Sequence, residues 1–439
     1  MPDTDPPHSD RPERSADSAT GQGAGGQGAA PADEAQPEAE ARLPQGAEPA
    51  SEPAQAPTTG EPAPSTTAAP GGPTPLRSAM RTVGLTVLAV VVVVGLYLVL
   101  APSPIDPAAY DPPPKPAMTG ALAPNDALLQ AELLAVGKID GPEDVDVDAA
   151  GRVYGGTNDG KIVRVLPDGT IETFAETGGR PLGLHFDSEG HLVVADADKG
   201  LLRVDPQGNV TTLASEAGGV PFGFADDLDI GRDGVVYFSD ASSKFGKDEY
   251  LYDLLEARPH GRLLAYDPRT GETEVLLDGL YFANGVALSQ QGDFVLVNET
   301  YRYRITRYWL EGPKAGTSDT FIDNLPGFPD GVSSNRRGTF WLALFTVRND
   351  TVDWLHARPW LKAVMAKLPR LFWPQPEPYG LVLALDEQGR ITRSLHEPTA
   401  THLWEITSAQ EHDGHLYLGS LDNDRIGRLE LDGAAPALD

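Results

Sequence analysis

The sequence predicts an all-β fold, a six-bladed β-propeller with lid insertions, preceded by one transmembrane helix and a disordered tail. Three observations indicate this arrangement. The amino-terminal segment is almost free of large apolar residues, a single long apolar run follows it, and a glycine-centred pattern recurs six times in the remainder. The 439 residues are 40% hydrophobic and 22% charged, which is ample material for a globular core.

The composition excludes several classes of function. Lys and Arg total 34 against 64 Asp and Glu, so the formal net charge is −30. A surface of that sign repels phosphate groups, and we expect no nucleic-acid partner. The chain contains no cysteine, which excludes disulfide scaffolds, thiolate metal sites and thiol nucleophiles.

The first segment, residues 1–76, consists mainly of Pro, Ala, Gly, Ser, Thr, Asp and Glu. Such a composition buries too little apolar surface to offset the entropy lost when a chain becomes ordered. We therefore predict a disordered, acidic tail that takes no part in the folded domain.

The second segment, residues 82–101, reads TVGLTVLAVVVVVGLYLVLA and carries no charge. Its length matches the hydrocarbon core of a bilayer, which about 20 helical residues cross. A buried β-rich run is the alternative interpretation, but sheets seldom use so long an unbroken apolar stretch. One transmembrane helix is the prediction.

Basic residues indicate the orientation of this helix. Arg77 and Arg81 precede it, and no Lys or Arg follows until Lys115. The positive-inside rule then places the amino terminus in the cytoplasm. We predict an uncleaved, single-pass type II anchor in the cell membrane, a proline-rich stalk over residues 102–119, and an extracytoplasmic domain over residues 120–435.

The outer domain contains the internal repeat. Six glycines each open a strand, turn and strand, and the residue eight positions before each glycine occupies one register. The glycines are Gly151, Gly190, Gly234, Gly292, Gly338 and Gly414, and the register positions are Glu143, Leu182, Asp226, Asn284, Asp330 and Ile406. Most spacings suit four-stranded blades, so six blades are predicted. The segment AELLAVGKI is expected to add a strand to the sixth blade and close the ring.

Two insertions interrupt the repeat, at residues 243–261 and 349–380, and both are compatible with helices. Insertions in a propeller lie at its faces, so we expect a lid over one mouth of the central channel. Five large apolar residues of the second insertion are candidates for contact with a hydrophobic ligand or the bilayer, or for plain packing at the rim. They are Trp354, Trp360, Leu371, Phe372 and Trp373.

The register also predicts a metal site, because equivalent positions of the inner strands form a ring at one depth of the axis. Four of the six positions carry oxygen side chains: Glu143, Asp226, Asn284 and Asp330. Three adjacent carboxylates repel one another unless they are protonated or share a cation. With oxygen ligands alone, Ca²⁺ is the first expectation and Mg²⁺ or Mn²⁺ the next. Each acid taken singly is also compatible with an ordinary turn residue.

Longer segments resemble a known family. The stretch from GRLLAYDPRTG to GFPDGV, together with EHDGHLYLGS, is very similar to the core of strictosidine synthase-like proteins, and the resemblance extends over about residues 120–435. The anchored layout resembles that of a type II membrane member of this family linked to arylesterase activity. More distantly, GPEDVDV, ANGVALS and PDGV resemble the metal-binding strands of gluconolactonases, regucalcin and paraoxonases, which are six-bladed propellers with an axial calcium.

The resemblance implies roles for individual residues. It implies calcium ligation by three register residues, Glu143, Asn284 and Asp330. Asp226 stands where these relatives usually have Asn, and the Asp side chain still offers an oxygen ligand. Leu182 stands where the paraoxonases have a histidine with a proposed base role, and Thr407 stands where strictosidine synthase has its catalytic glutamate.

The leading hypothesis is a calcium-dependent hydrolase of small hydrophobic esters or lactones, of the arylesterase or lactonase type. Asp330 is the candidate for proton transfer, and His185, three residues past the register in blade two, is the second candidate. A packed or solvated histidine is the plainer interpretation of His185. The alternative function is a ligand- or protein-binding propeller with structural calcium, and a synthase-type lyase is the third. The sequence does not indicate an oligomeric state.

The predicted topology is open to a direct test. Protease added to intact spheroplasts should digest the domain after Met118 and spare the amino-terminal tail, because Arg77 and Arg81 hold that tail in the cytoplasm. Immunoblotting with antibodies to each segment gives the measurement. Protection of the outer domain would contradict the type II orientation.

Overall fold

The described chain begins with a long helix that leaves its apolar side chains uncovered. The computed structural model describes residues 75–431. Residues 1–74 of the tail predicted over residues 1–76 therefore lie outside the described residues. The helix covers Pro75–Leu100, and its segment Ala79–Leu100 has the length and composition of a membrane span. None of that segment is buried by protein. A bilayer would cover these exposed apolar side chains.

Six four-stranded antiparallel sheets follow, one for each predicted blade. Blade one contains Val145–Val147, Val153–Gly156, Lys161–Val165 and Ile171–Glu176. Blade two contains Pro181–Phe186, Leu192–Asp196, Gly200–Val204 and Val210–Ala214. Blade three contains Ala225–Ile230, Val236–Asp240, Gly261–Asp267 and Glu272–Leu280, and a small hairpin, Glu216–Ala217 and Val220–Pro221, precedes it.

The second half of the ring repeats this arrangement. Blade four contains Ala283–Leu288, Phe294–Glu299, Arg304–Trp309 and Ser318–Ile322. Blade five contains Gly327–Ser334, Thr339–Val347, Gly380–Asp386 and Ile391–Glu397. Blade six contains Ile406–His412, His415–Ser420, Ile426–Glu430 and, as its outermost strand, Glu132–Leu134. The first strand of each list is the inner strand, and each inner strand contacts those of both neighbouring blades. The predicted six-bladed propeller is confirmed.

The ring is closed by a strand from the far end of the sequence. Glu132–Leu134 pairs antiparallel with Ile426–Glu430, in the register Glu132 to Arg428. This confirms the strand predicted near AELLAVGKI. Because the pairing joins the beginning of the domain to its end, blade six holds both termini of the propeller together.

Bulges at the start of the inner strands decide which side chains face the axis. The strand register shifts between Pro181 and Leu184 in blade two and between Ala225 and Leu228 in blade three, and blades four to six shift at the corresponding places. A bulge adds one residue to a strand and redirects the side chains around it. Two consecutive residues can therefore face the channel, where a regular strand would present only one.

The two insertions form the predicted lid. The first contains the helix Tyr250–Glu256, and the second contains helices Asp350–His356 and Pro359–Met365 and a 3₁₀ turn, Arg370–Phe372. Both insertions contribute to one apolar cluster, which includes Phe245, Leu255, Ala366, Trp373 and, from the stalk, Ile105. Further 3₁₀ turns lie at Gly120–Leu122, Ala127–Gln130, Thr300–Arg302 and Gly312–Lys314.

The proline-rich stalk lies against this lid. The Ala108 amide donates a hydrogen bond to the Glu256 carbonyl at 2.8 Å, and the Tyr110 amide donates to the His356 carbonyl at 2.9 Å. The Arg302 guanidinium stacks over the Tyr110 ring at 3.8 Å. The stalk is thus part of the folded domain, with fixed partners on both insertions.

Candidate metal centre

The four oxygen side chains predicted as a ring converge at the lid-side mouth of the channel. Glu143, Asp226, Asn284 and Asp330 are all buried, and all four line one cavity of about 340 Å³. Leu182 of blade two lines the same cavity, whereas Ile406 of blade six is buried in the core between blades. The ring is therefore built from four blades.

The environment of the ring opposes negative charge. Burial raises the pKa of Glu143 and of Asp226 well above the usual carboxyl range, and the nearby Asp330 raises both further. Burial also raises the pKa of Asp330 to about 7, although a hydrogen bond from Asn284 works in the opposite direction. At neutral pH these acids are held in a site that disfavours their ionised forms.

One buried cation in blade two offsets part of this charge. The Arg180 guanidinium lines the ring cavity, donates to the Gly141 carbonyl at 3.1 Å, and favours the charged forms of Glu143 and Asp226. Two cationic side chains, Arg180 and Lys247, line the cavity together with five carboxyl side chains, Glu143, Asp226, Asp248, Asp330 and Asp422. A divalent cation would offset part of the negative charge that these acids carry when ionised.

The residues fit such an ion in chemistry. Asp226 Oδ2 is buried without a hydrogen-bond partner, and a buried carboxylate oxygen that lacks a partner is costly. The donor set of carboxylates and one amide is the set that Ca²⁺ prefers. The oxygens of Glu143, Asp226 and Asp330 do not all lie within 4.8 Å of one another.

Within residues 75–431, a group of Asp, Glu and His side chains that does meet this spacing lies elsewhere. It consists of Asp187, Glu189 and His191, in the turn between the first two strands of blade two. Asp187 Oδ1 accepts the amides of Glu189 and His191 at 2.9 Å, which is the pattern of a self-bonded turn. Substitutions in this group serve below as controls for substitutions in the ring.

A second acidic layer lies directly behind the ring. Asp144 and Asp227 follow the register residues of blades one and three, and their carboxylates accept the amides of Leu184 at 2.9 Å and Val286 at 2.8 Å. Burial raises the pKa of Asp144 to about 6, and burial together with Asp144 raises the pKa of Asp227 further above its usual value. These bonds join blade one to blade two and blade three to blade four.

His185 belongs to a third layer, deeper in the channel. Its Nδ1 lies 3.1 Å from Asp146 Oδ2 and its Nε2 lies 4.0 Å from Asp229 Oδ1. Burial lowers the pKa of His185, but the two carboxylates outweigh that effect and raise the pKa to about 9. His185 lines neither the ring cavity nor the apolar cavity that adjoins it. A protonated imidazole also cannot take up the proton that a general base removes.

A larger apolar cavity of about 570 Å³ adjoins the ring beneath the lid. Both insertions line it, through residues such as Leu254, Val352 and Trp373, and its inner end is formed by Asn284 and Asp330. These two side chains therefore line both the ring cavity and the apolar cavity. A ligand that fills the cavity would reach the ring at this point.

Sequence reasoning missed several residues of the site. Arg180, Asp144 and Asp227 lie within two residues of register positions, but their contacts with neighbouring blades depend on tertiary structure. Asp422 lines both cavities, and burial together with Asp422 raises the pKa of the neighbouring Glu405 to about 8. Glu405 directly precedes the sixth register position in the sequence, but its pairing with Asp422 depends on tertiary structure.

Comparisons with known proteins agree with this architecture. A family model described as Strictosidine synthase matches residues 226–313, and one described as Strictosidine synthase-like, N-terminal, matches residues 120–165. Adipocyte plasma membrane-associated protein of Rattus norvegicus is 40% identical over 361 residues, 76% of this chain and 95% of that protein. Protein STRICTOSIDINE SYNTHASE-LIKE 13 of Arabidopsis thaliana is 36% identical over 314 residues, 63% and 78% of the two chains.

Among solved structures, a gluconolactonase from Xanthomonas campestris has the same fold. The TM-score is 0.50 at 19% sequence identity, and the match covers 76% of this chain and 99% of that one. At this level of identity the comparison supports the propeller and carries no information on activity.

Calcium should stabilise the folded chain through Asp226. Calcium at about 100 times its Kd should add about 2.7 kcal/mol to the free energy of unfolding, and Asp226→Ala should lose most of this gain because it removes a ligand. The measurement is the melting temperature of the detergent-solubilised full chain across a calcium titration. Asp187→Ala is the control and should keep the full response; an unchanged response in Asp226→Ala would remove Asp226 from the ligands.

The ion pairs of His185 should give a pH-dependent contribution to stability. Because the folded pKa is raised to about 9, this contribution is complete below the unfolded value of about 6.5 and is lost as the pH rises through 9. With calcium present, His185→Asn should lower the melting temperature by about 2 °C or more at pH 6. The difference should shrink at pH 10; a difference that is equal at both pH values would exclude the ion-pair role.

Proposed function

Since the chain belongs to the strictosidine synthase-like family, we propose that it is a membrane-anchored, calcium-dependent hydrolase of carboxylic esters or lactones that acts outside the cytoplasm. The observation that carries this proposal is the shared position of Asn284 and Asp330, which face both the ring and the apolar cavity. A substrate in that cavity would present its reacting group to the ring.

The apolar cavity selects the class of substrate. Leu254, Phe328, Val352 and Trp373 line it, and the lid covers it. Hydrophobic acyl, aryl or lactone groups gain free energy by leaving water for such a cavity. The polar inner end then fixes the orientation, because the ester group is the only part of such a substrate that matches Asn284 and Asp330.

Four residues would hold the ion: Glu143, Asp226, Asn284 and Asp330. A bound calcium would supply Lewis-acid polarisation of an ester carbonyl and stabilisation of the negative charge that develops on its oxygen. Asp330 is placed to accept the proton of an attacking water, since its carboxylate faces the cavity. Asn284 orients that carboxylate through its hydrogen bond.

A binding propeller with structural calcium is the second candidate function. The observation that favours it is the number of inter-blade bonds at the axis, such as the Thr407 hydroxyl donating to the Glu143 carbonyl at 2.5 Å. An ion held by four blades would extend this pattern without any catalysis. A synthase-type lyase is less favoured, because Thr407 stands at the expected glutamate position and is engaged in that bond.

The anchoring part of the proposal rests on two findings. The helix Pro75–Leu100 contains an uncovered apolar span, and the relatives at 40% identity are named as plasma membrane-associated. The charges before the helix favour a type II orientation with the propeller outside the cytoplasm.

Hydrolysis of a panel of aryl esters and lactones by the full chain in detergent tests the proposed activity, with calcium and with a chelator. Chelation should abolish turnover, and calcium should restore it. Activity that ignores the chelator would remove the metal from the mechanism. Calcium-dependent stability without hydrolysis of any substrate would favour the binding propeller.

The role of Asp330 predicts a separation between binding and turnover. Asp330→Asn keeps an oxygen ligand but cannot accept a proton, so calcium affinity should be largely retained while turnover falls by about 10²–10⁴. Calcium affinity and aryl-ester turnover are measured side by side. Asp187→Asn, a change of the same size at a surface turn, is the control. Near-normal turnover in Asp330→Asn would assign proton transfer to another group.

A further inference from the structure

The insertion of blade five contacts the end of the membrane-span helix. The Lys367 ammonium donates to the carbonyl of Leu98 at 2.9 Å and to that of Ala101 at 2.5 Å. The last carbonyls of a helix lack intrahelical partners, and a cation there also interacts favourably with the helix dipole. The lid is thus attached to the point at which the helix would leave a bilayer.

The connection between helix and lid is short. The helix ends at Leu100, and the Asp106 amide is already hydrogen-bonded to Glu256 Oε2 at 2.8 Å. Arg258 also forms an ion pair with Asp106 at 2.9 Å. Six residues extend at most about 20 Å, so a spanning helix would hold the lid close to the membrane surface.

The same insertion carries an exposed apolar patch. It consists of Trp354, Trp360, Leu371 and Phe372, whose exposed fractions range from 51% to 85%. Outside the helix, the other large apolar side chains exposed in the described chain are three valines, Val136, Val220 and Val275. Trp and other aromatic residues are favoured at the interface between water and lipid.

The charge of this insertion is opposite to that of the chain. Residues 349–380 contain four basic residues and three acids, and all three acids lie outside residues 354–376, whereas the chain as a whole has a net charge of −30. Arg358 stacks over the ring of Trp354 at 4.1 Å, so positive charge lies directly beside the patch. Basic groups beside an apolar surface match anionic lipid headgroups.

We propose that the apolar patch docks on the surface of the bilayer that holds the helix, with anionic phospholipid as its partner. The proposal rests on the proposed anchoring and does not depend on any enzymatic activity. Leu371 both belongs to the patch and lines the apolar cavity, so the patch adjoins that cavity. Amphiphilic ligands could therefore pass from the membrane to the cavity without crossing water.

A single-cysteine experiment tests the docking, because the natural chain contains no cysteine. Full-length Phe372→Cys, labelled with a polarity-sensitive fluorophore, is reconstituted into phosphatidylglycerol vesicles that contain nitroxide-labelled lipid. Val275→Cys is the control, since it is exposed on the outer strand of blade three. We expect the label at residue 372 to be quenched at least about twofold more than the label at residue 275, and less strongly in phosphatidylcholine.

The outcomes separate docking from anchoring. Chains that float with the vesicles but show equal quenching at the two positions would overturn the docking. Chains that fail to float with vesicles would overturn the anchoring and the docking together. Leu371→Cys gives the same test if Phe372→Cys does not fold, as judged by its melting temperature.

Discussion

The repulsion among buried carboxylates at the propeller axis is the interaction on which the rest of the site depends. The carboxylate charge is offset in a different way in each layer of the channel. Arg180 offsets part of the charge of the ring, backbone amides solvate the second layer, and His185 together with Arg336 neutralises the third. The ring is left with an unpartnered oxygen on Asp226 and with carboxyl groups whose pKa values are raised by burial. The carboxylate oxygen without a partner, Asp226 Oδ2, therefore lies at the mouth that the lid covers.

The arrangement of this mouth follows from the combination of two insertions with the bulged inner strands of blades two to six. The bulges bring Asn284 and Asp330 to the channel, and the insertions enclose the apolar space above them. Neither element alone produces a site that is polar at its base and apolar at its walls. The stalk adds a third constraint, because its bonds to both insertions hold the lid in place.

The glycine register was sufficient to predict six blades and the four ring residues, since a fixed offset from a turn determines depth in a repeated strand. It could not predict the second layer, because the bonds of Asp144 and Asp227 to amides of neighbouring blades depend on tertiary structure. The stalk was predicted from its proline content as a spacer, whereas its contacts with Glu256 and His356 depend on tertiary structure. Likewise Arg180 is an ordinary loop residue in the sequence, and only burial makes it part of the site.

The strand Glu132–Leu134 that closes blade six has a consequence for folding. Its partner strand lies almost 300 residues later, since Glu132 and Arg428 are separated by 296 positions and also form an ion pair. The entropy lost in closing this long loop opposes the pairing before its hydrogen bonds can stabilise the fold. Such non-local contacts slow folding. During synthesis the hydrogen-bonding edge of the strand Glu132–Leu134 stays unpaired until the carboxyl-terminal strands emerge. A chain truncated before blade six would keep that edge unpaired and prone to aggregation.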